Sequence, residues 1–248
     1  MIKLNLFRNK YFVIALSSLF LVFSCTTHGI ETANSESRTI NYKVFNDYKS
    51  NTGLLKNIMT TNQYGKNSQS LKEISQTILD QVNLELGTNV IYSDEALQLP
   101  NYNGEEIIEI GKANGWINDI DVNLIDAFMI NLENHDFNYA IENFENSVIT
   151  LSVSDEKFDK LNMTANLIRS ANHQNPEIFT QIQKSRELGG WDCALATLAL
   201  AAATAGLSSC ATVAACAAAV ALHYNALKNF GRACFSSNKP EITNTQNN

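Results

Sequence analysis

Residues 193 to 222 read CALATLALAAATAGLSSCATVAACAAAVAL, thirty positions without a charge, fourteen of them alanine and three cysteine. A stretch this apolar has to leave water, either into lipid or into protein. As one helix it would run about 45 Å against a hydrocarbon core near 30 Å, and GLSS at 206–209 interrupts it near the middle. Its five leucines and two valines favour insertion by about 0.5 kcal/mol each, roughly 3 kcal/mol in all, too little to commit either half to a bilayer. Two antiparallel alanine-faced helices can instead approach closely, and disulfides can hold them where small side chains bury little area per residue. The segment therefore predicts a C-terminal helical hairpin pinned by disulfides.

The opposite end of the chain carries an export address. MIKLNLFRNK holds Lys3, Arg8 and Lys10 and runs into YFVIALSSLFLVFS, fourteen residues without a charge. These are the basic and apolar regions of a secretory signal. The run closes in Val22, Phe23, Ser24 and Cys25, which resembles the lipobox of bacterial lipoproteins. The resemblance implies removal of residues 1–24 and lipidation of Cys25 with a diacylglycerol and usually a third acyl chain. At about 0.8 kcal/mol per buried methylene, more than one chain gives lasting attachment. Thr26, and not aspartate, follows the cysteine, so the familiar inner-membrane retention signal is not matched. The expected location is the cell envelope, at the outer membrane. Of 18 basic and 25 acidic residues the signal removes three basic ones, which leaves 15 against 25 and a net charge of −10. That balance disfavours a nucleic-acid partner. The expected partners are the membrane, through the lipid anchor, and an envelope protein whose identity the residues do not specify.

Five cysteines is an odd number for an exported chain, and lipidation of Cys25 resolves it by leaving Cys193, Cys210, Cys216 and Cys234. Outside a reducing cytoplasm two disulfides are expected, with three connectivities open. If Gly206 ends one helix and the next begins after Thr212, Cys210 and Cys216 come close in the manner of a hydrophobic staple. The preferred pairing is thus Cys193–Cys234 with Cys210–Cys216. Closing the long loop is worth about 3 to 4 kcal/mol and the short one roughly 2 on a chain-entropy basis. A zinc site with His223 lacks the close cysteine pairs of structural zinc centres. Cys216 and His223 on one helix stand about 10 Å apart, too far for nucleophile and base to touch.

Between these ends the pattern is helical. TTHGIETANSESRT is polar and aperiodic, as a tether is. SLKEISQTILDQVNLELG has a capping box in Ser70 and Glu73, an apolar stripe in Leu71, Ile74, Ile78, Val82 and Leu86, and a terminating Gly87. Further helices are predicted at Gly104 to Lys112, Val122 to Glu133, Phe137 to Leu151, Asp155 to Ala171 and Pro176 to Glu187. Ser154 caps one of these, and Asn175 followed by Pro176 opens another. The best alternating patterns are TINYKVFNDY and TNVIYS at 88–93, enough for one short extended piece. The expected fold is an all-α helical bundle with the disulfide-linked hairpin appended. The organisation reads as signal peptide 1–24, tether 25–39, helical body 40–188, Ala/Cys-rich hairpin 189–235 and polar disordered tail 236–248.

Signals for chemistry are sparse. DIDVN at 119–123 opens like a calcium loop, but Leu124 and Ile130 stand where an EF-hand needs glycine and glutamate, so capping aspartates are expected. Glu105, Glu106 and Glu109, and Glu142 with Glu145, form acidic clusters that could serve as acid and base, though such spacing usually marks a solvated face. His28, His135, His173 and His223 are scattered, and no phosphate loop, GxSxG elbow or dinucleotide fingerprint occurs. No catalytic residue, metal ligand or cofactor is assigned. Gly189 and Gly190 ahead of Trp191 and the uncharged Ala/Cys-rich peptide resemble the leader junction of bacteriocin-like peptides, which implies processing after Gly190. The leading expectation is a non-enzymatic, membrane-anchored envelope lipoprotein with a structural or partner-binding role. The alternatives are a carrier of a membrane-active, bacteriocin-like C-terminal peptide, and an envelope enzyme using the acidic clusters.

Overall fold

Among the described residues most helix starts are fixed by a short polar side chain that accepts a backbone N–H the first turn cannot satisfy itself. The computed structural model describes residues 38–61, 70–174, 176, 178–180 and 190–207, all within the unit Arg38–Asn248. Among them the structure is all-α, with no strand. The helices are α1 (Lys43–Thr61), α2 (Leu71–Leu86), α3 (Asp94–Gln98) running into a 3-10 turn (Leu99–Asn101), α4 (Gly104–Ala113), α5 (Asp119–Asn134), α6 (Phe137–Thr150), α7 (Asp155–Gln174) and α8 (Gly190–Leu207).

Ser70 and Glu73 form the expected capping box of α2, and Gly87 closes it at φ 64°, a left-handed conformation that glycine adopts without a Cβ penalty. Asn103 with Glu106 and Asn118 with Asp121 build two more boxes, at α4 and α5. Asp121 is thus a capping aspartate, as expected, while Asp119 pairs with Lys112 at 2.6 Å. Asp136 caps α6, and Ser154 Oγ accepts the Lys157 N–H at the start of α7.

Both extended candidates turn out otherwise. Within TINYKVFNDY the helix α1 begins at Lys43, because Val44, Tyr48, Leu55 and Ile58 recur at helical spacing and face the core. TNVIYS is irregular: the Asn83 side chain binds the backbone N–H and C=O of Val90, so an amide takes the place of a partner strand. Of the helix expected over Pro176 to Glu187, residues 178–180 are helical and Thr180 N–H donates to the Pro176 carbonyl; the rest lies outside the described residues.

The core is organised around α8. It packs on α4, α7 and α5, while α5 lies on α6, α6 on α7, and α1 on both α7 and α2. From Cys193 to Ala205 every residue of α8 except Leu195 is buried. Residues 190–207 are therefore a central element of the body, not a unit standing beside it. The cause is the lack of any polar face: a helix apolar all round is stable in water only when neighbours cover each side. The second arm of the expected hairpin and the tail fall outside the described residues. A second focus is aromatic, with Phe128 of α5 meeting Phe137, Phe144 and Phe179 edge to face at centroid distances of 6.1, 6.0 and 6.3 Å.

Small residues set how closely α8 can be approached. A Cβ on Gly104 would lie 2.6 Å from Leu195 Cγ and 2.8 Å from the Ala196 nitrogen, and one on Gly206 only 2.1 Å from the Trp116 carbonyl oxygen. Backbone cannot yield as a side-chain tip does. Gly206→Ala is expected to cost about 2 to 3 kcal/mol through overpacking. Gly53→Ala, in the exposed interior of α1 with nothing within 4 Å, should stabilise by about 1 kcal/mol. Urea titrations of the two variants read the opposite signs directly.

Candidate functional site

Cys25, His28, Gly189, Cys210, Cys216, His223 and Cys234 lie outside the described residues, and with them the lipobox and both expected disulfide pairings. Gly190 is the first residue of α8, so the expected scission point coincides with the start of a core helix. Cys193, in the first turn of that helix, is 3% exposed and disulfide-bonded. Trp191 beside it remains 39% exposed.

The acidic clusters do not converge. Glu105, Glu106 and Glu109 are exposed along α4, and Glu106 is spent in capping. Glu142 is exposed on α6, whereas Glu145, three residues on, is 4% exposed and turned inward. His135 and His173 are both exposed; the first ring lies against Tyr139 at 3.9 Å and the second edge-on to Phe45 and Tyr48. Among the described residues no three His, Cys, Asp or Glu side chains gather as a metal site would need, and no helix is long and apolar enough to cross a membrane.

What the fold does bring together is a polar seam that fastens the chain segment Arg38–Tyr48 along α7. Arg38 donates from one guanidinium to the Leu151 carbonyl at 3.4 Å, the Val153 carbonyl at 2.9 Å and Asp155 Oδ1 at 2.8 Å, and lies 5.1 Å over the Phe158 ring. The fork geometry of arginine lets a single residue grip the α6–α7 corner at three points. Next, the Asn41 N–H donates to Asn162, and buried Asn166 accepts from the Phe45 N–H while donating to the carbonyls of Asn41 and Asn162. The far end is tied by the Tyr48 hydroxyl on Gln174 at 2.5 Å.

The centre of the seam is ionic. Arg169 of α7 makes a two-pronged contact with Glu145 of α6, Nε to Oε1 at 2.5 Å and one terminal nitrogen to Oε2 at 2.7 Å. The Tyr42 hydroxyl donates to Glu145 Oε2 at 2.9 Å, and its ring lies under the Arg169 guanidinium at 5.1 Å. The hydrogen bond that it donates to Glu145 holds the Arg169 guanidinium even more firmly charged, outweighing burial. Burial, and then the bond to Glu145, push the Tyr42 hydroxyl above its ordinary value of 10.0. A raised tyrosine stabilises the fold fully below that ordinary value, and the contribution is lost as pH climbs through the folded one. The seam is thus indifferent to pH through the neutral range as far as Tyr42 is concerned.

A second ion pair joins α7 to α5. Lys157 Nζ meets Asp121 Oδ1 and Oδ2 at 2.6 and 2.5 Å, with the Asp121 side chain 6% exposed. The same carboxylate accepts the Asn118 N–H at 2.7 Å, so one side chain completes the cap of α5 and docks it on the first turn of α7.

Neither pair was assigned from sequence. For Glu145 a signal existed: it lies four residues after Ile141 and one after Phe144, on the flank of the apolar stripe, and an acid there requires a cationic partner. For Asp121 the capping role was legible, but not its lysine, 36 residues away.

Comparison with protein-family models, curated proteins and solved structures gives no match. Function therefore has to be argued from the residues themselves. The seam holds paired charges in Arg169 and Glu145 and, in Asn166, a buried amide bonded at both its oxygen and its nitrogen.

Proposed function

We propose that this chain is a non-enzymatic lipoprotein of the cell envelope, anchored at the outer membrane through lipid on Cys25 and serving as a structural or partner-binding body. The observation that supports this most is the Arg38 clasp. Twelve residues separate Cys25 from Arg38, and at Arg38 the chain is gripped by two carbonyls, a carboxylate and an aromatic face. A body that hangs from a membrane by its N-terminal segment needs a firm joint where tether meets fold. The seam from Arg38 to Tyr48 supplies one, and spreads the load over α7. The C-terminal region completes the proposal as a hairpin with Cys193 paired to Cys234 and Cys210 to Cys216.

Metabolic labelling with a fatty acid, followed by intact-mass analysis with and without reductant, tests the anchor. The expected product starts at Cys25, carries the mass of its acyl chains and gains four hydrogens on reduction. Cys25→Ser should abolish the label and move the protein out of the membrane fraction. A mature chain that starts elsewhere, or that carries no lipid, defeats the reading.

A second reading draws on α8, which has no polar face and opens at Gly190. Here the body carries a membrane-active segment that follows Gly190. An oxidised 191–235 peptide that leaves lipid vesicles sealed would remove this reading.

A further inference from the structure

We propose that α4, α5 and α7 form a receptor for α8 that does not depend on the covalent link, so that scission after Gly190 yields a two-chain complex and not a released peptide. The inference draws on the second reading above only for the place of scission. It rests on how α8 is held. Leu198, Leu200 and the alanines from Ala194 to Ala205 are all at most 3% exposed, and α8 packs on three different helices of the preceding chain. Contact at both ends is keyed by shape: near its start Leu195 and Ala196 sit where Gly104 has no side chain, and near its end Gly206 sits against the Trp116 carbonyl. Two such keys, eleven residues apart along α8, fix its direction and register without help from the connecting segment. The grip is apolar close packing, so it should resist salt and yield to detergent or lipid, which offer α8 another apolar surrounding.

One consequence is that cutting alone does not arm the C-terminal segment. Separation needs a second event that competes for the apolar surface of α8.

The experiment uses the full mature chain with Cys25→Ser for solubility and a specific protease site inserted between Leu188 and Gly189. After cleavage the protein is run by size exclusion in high salt beside the uncut chain; once Cys25 is serine the N-terminal piece holds no cysteine, so no disulfide can join the pieces. Co-elution at the size of the uncut chain, with helical circular dichroism retained, is the expected result, and addition of detergent micelles should then split the pair. Separation of the pieces in high salt without detergent would overturn the proposal. Neither outcome depends on acylation, which is read separately from the Cys25 label.

Discussion

A chain that stops at Leu188 should lose its cooperative unfolding transition altogether. Deleting α8 strips two fully buried leucines, most of the alanines of the core and the covering they give to α4, α5 and α7. At about 0.8 kcal/mol per buried methyl-sized group and 2 to 3 kcal/mol per leucine, the loss is of the order of 10 kcal/mol. A domain of this size has a net stability of about 5 to 15 kcal/mol, so the remainder has little or none left. Circular dichroism should report residual helix, because the capping boxes of α2, α4 and α5 are local. Thermal melting should be broad, and an apolar dye should bind. A sharp transition in the 25–188 chain would show that the body is complete without α8.

Arg169→Leu is the point substitution with the largest expected effect. It leaves the Glu145 carboxylate, 4% exposed, without its cation, and breaking a buried pair on one side costs about 3 to 5 kcal/mol. Glu145→Leu combined with Arg169→Leu removes both charges and should recover most of that loss, because the desolvation cost of the charges disappears with them. The cycle is read by urea titration, and limited proteolysis adds a local measure: only the single variant should expose the Arg38–Tyr48 segment to cutting. Equal destabilisation in the single and double variants would mean that the pair itself, and not the stranded carboxylate, carries the energy.

Much of the local structure was legible in sequence. The Ser70 and Glu73 box, Gly87, the Ser154 cap and the starts of α4, α6 and α7 all rest on residues that satisfy or interrupt nearby backbone, so neighbours a few positions apart determine them. Where reading failed locally, periodicity was short. Ten residues of TINYKVFNDY fit alternation, but the stripe continuing to Ile58 fits only a helix. The polar seam was hidden for a different reason. Arg38 finds its partners 113 to 117 residues away, and Glu145 meets Arg169 across two helices. Nothing near either residue names the other.

The alanine-rich stretch shows the division most sharply. Over residues 193–207 its sequence determined a helix that leaves water, since those properties follow from composition. It did not determine what would cover the helix, because alanine has no shape specific enough to select a partner. Tertiary structure decided that. Gly104 and Gly206 allow backbone to meet backbone at both ends of α8, and the helices that close around it turn an apparent appendage into the centre of the fold.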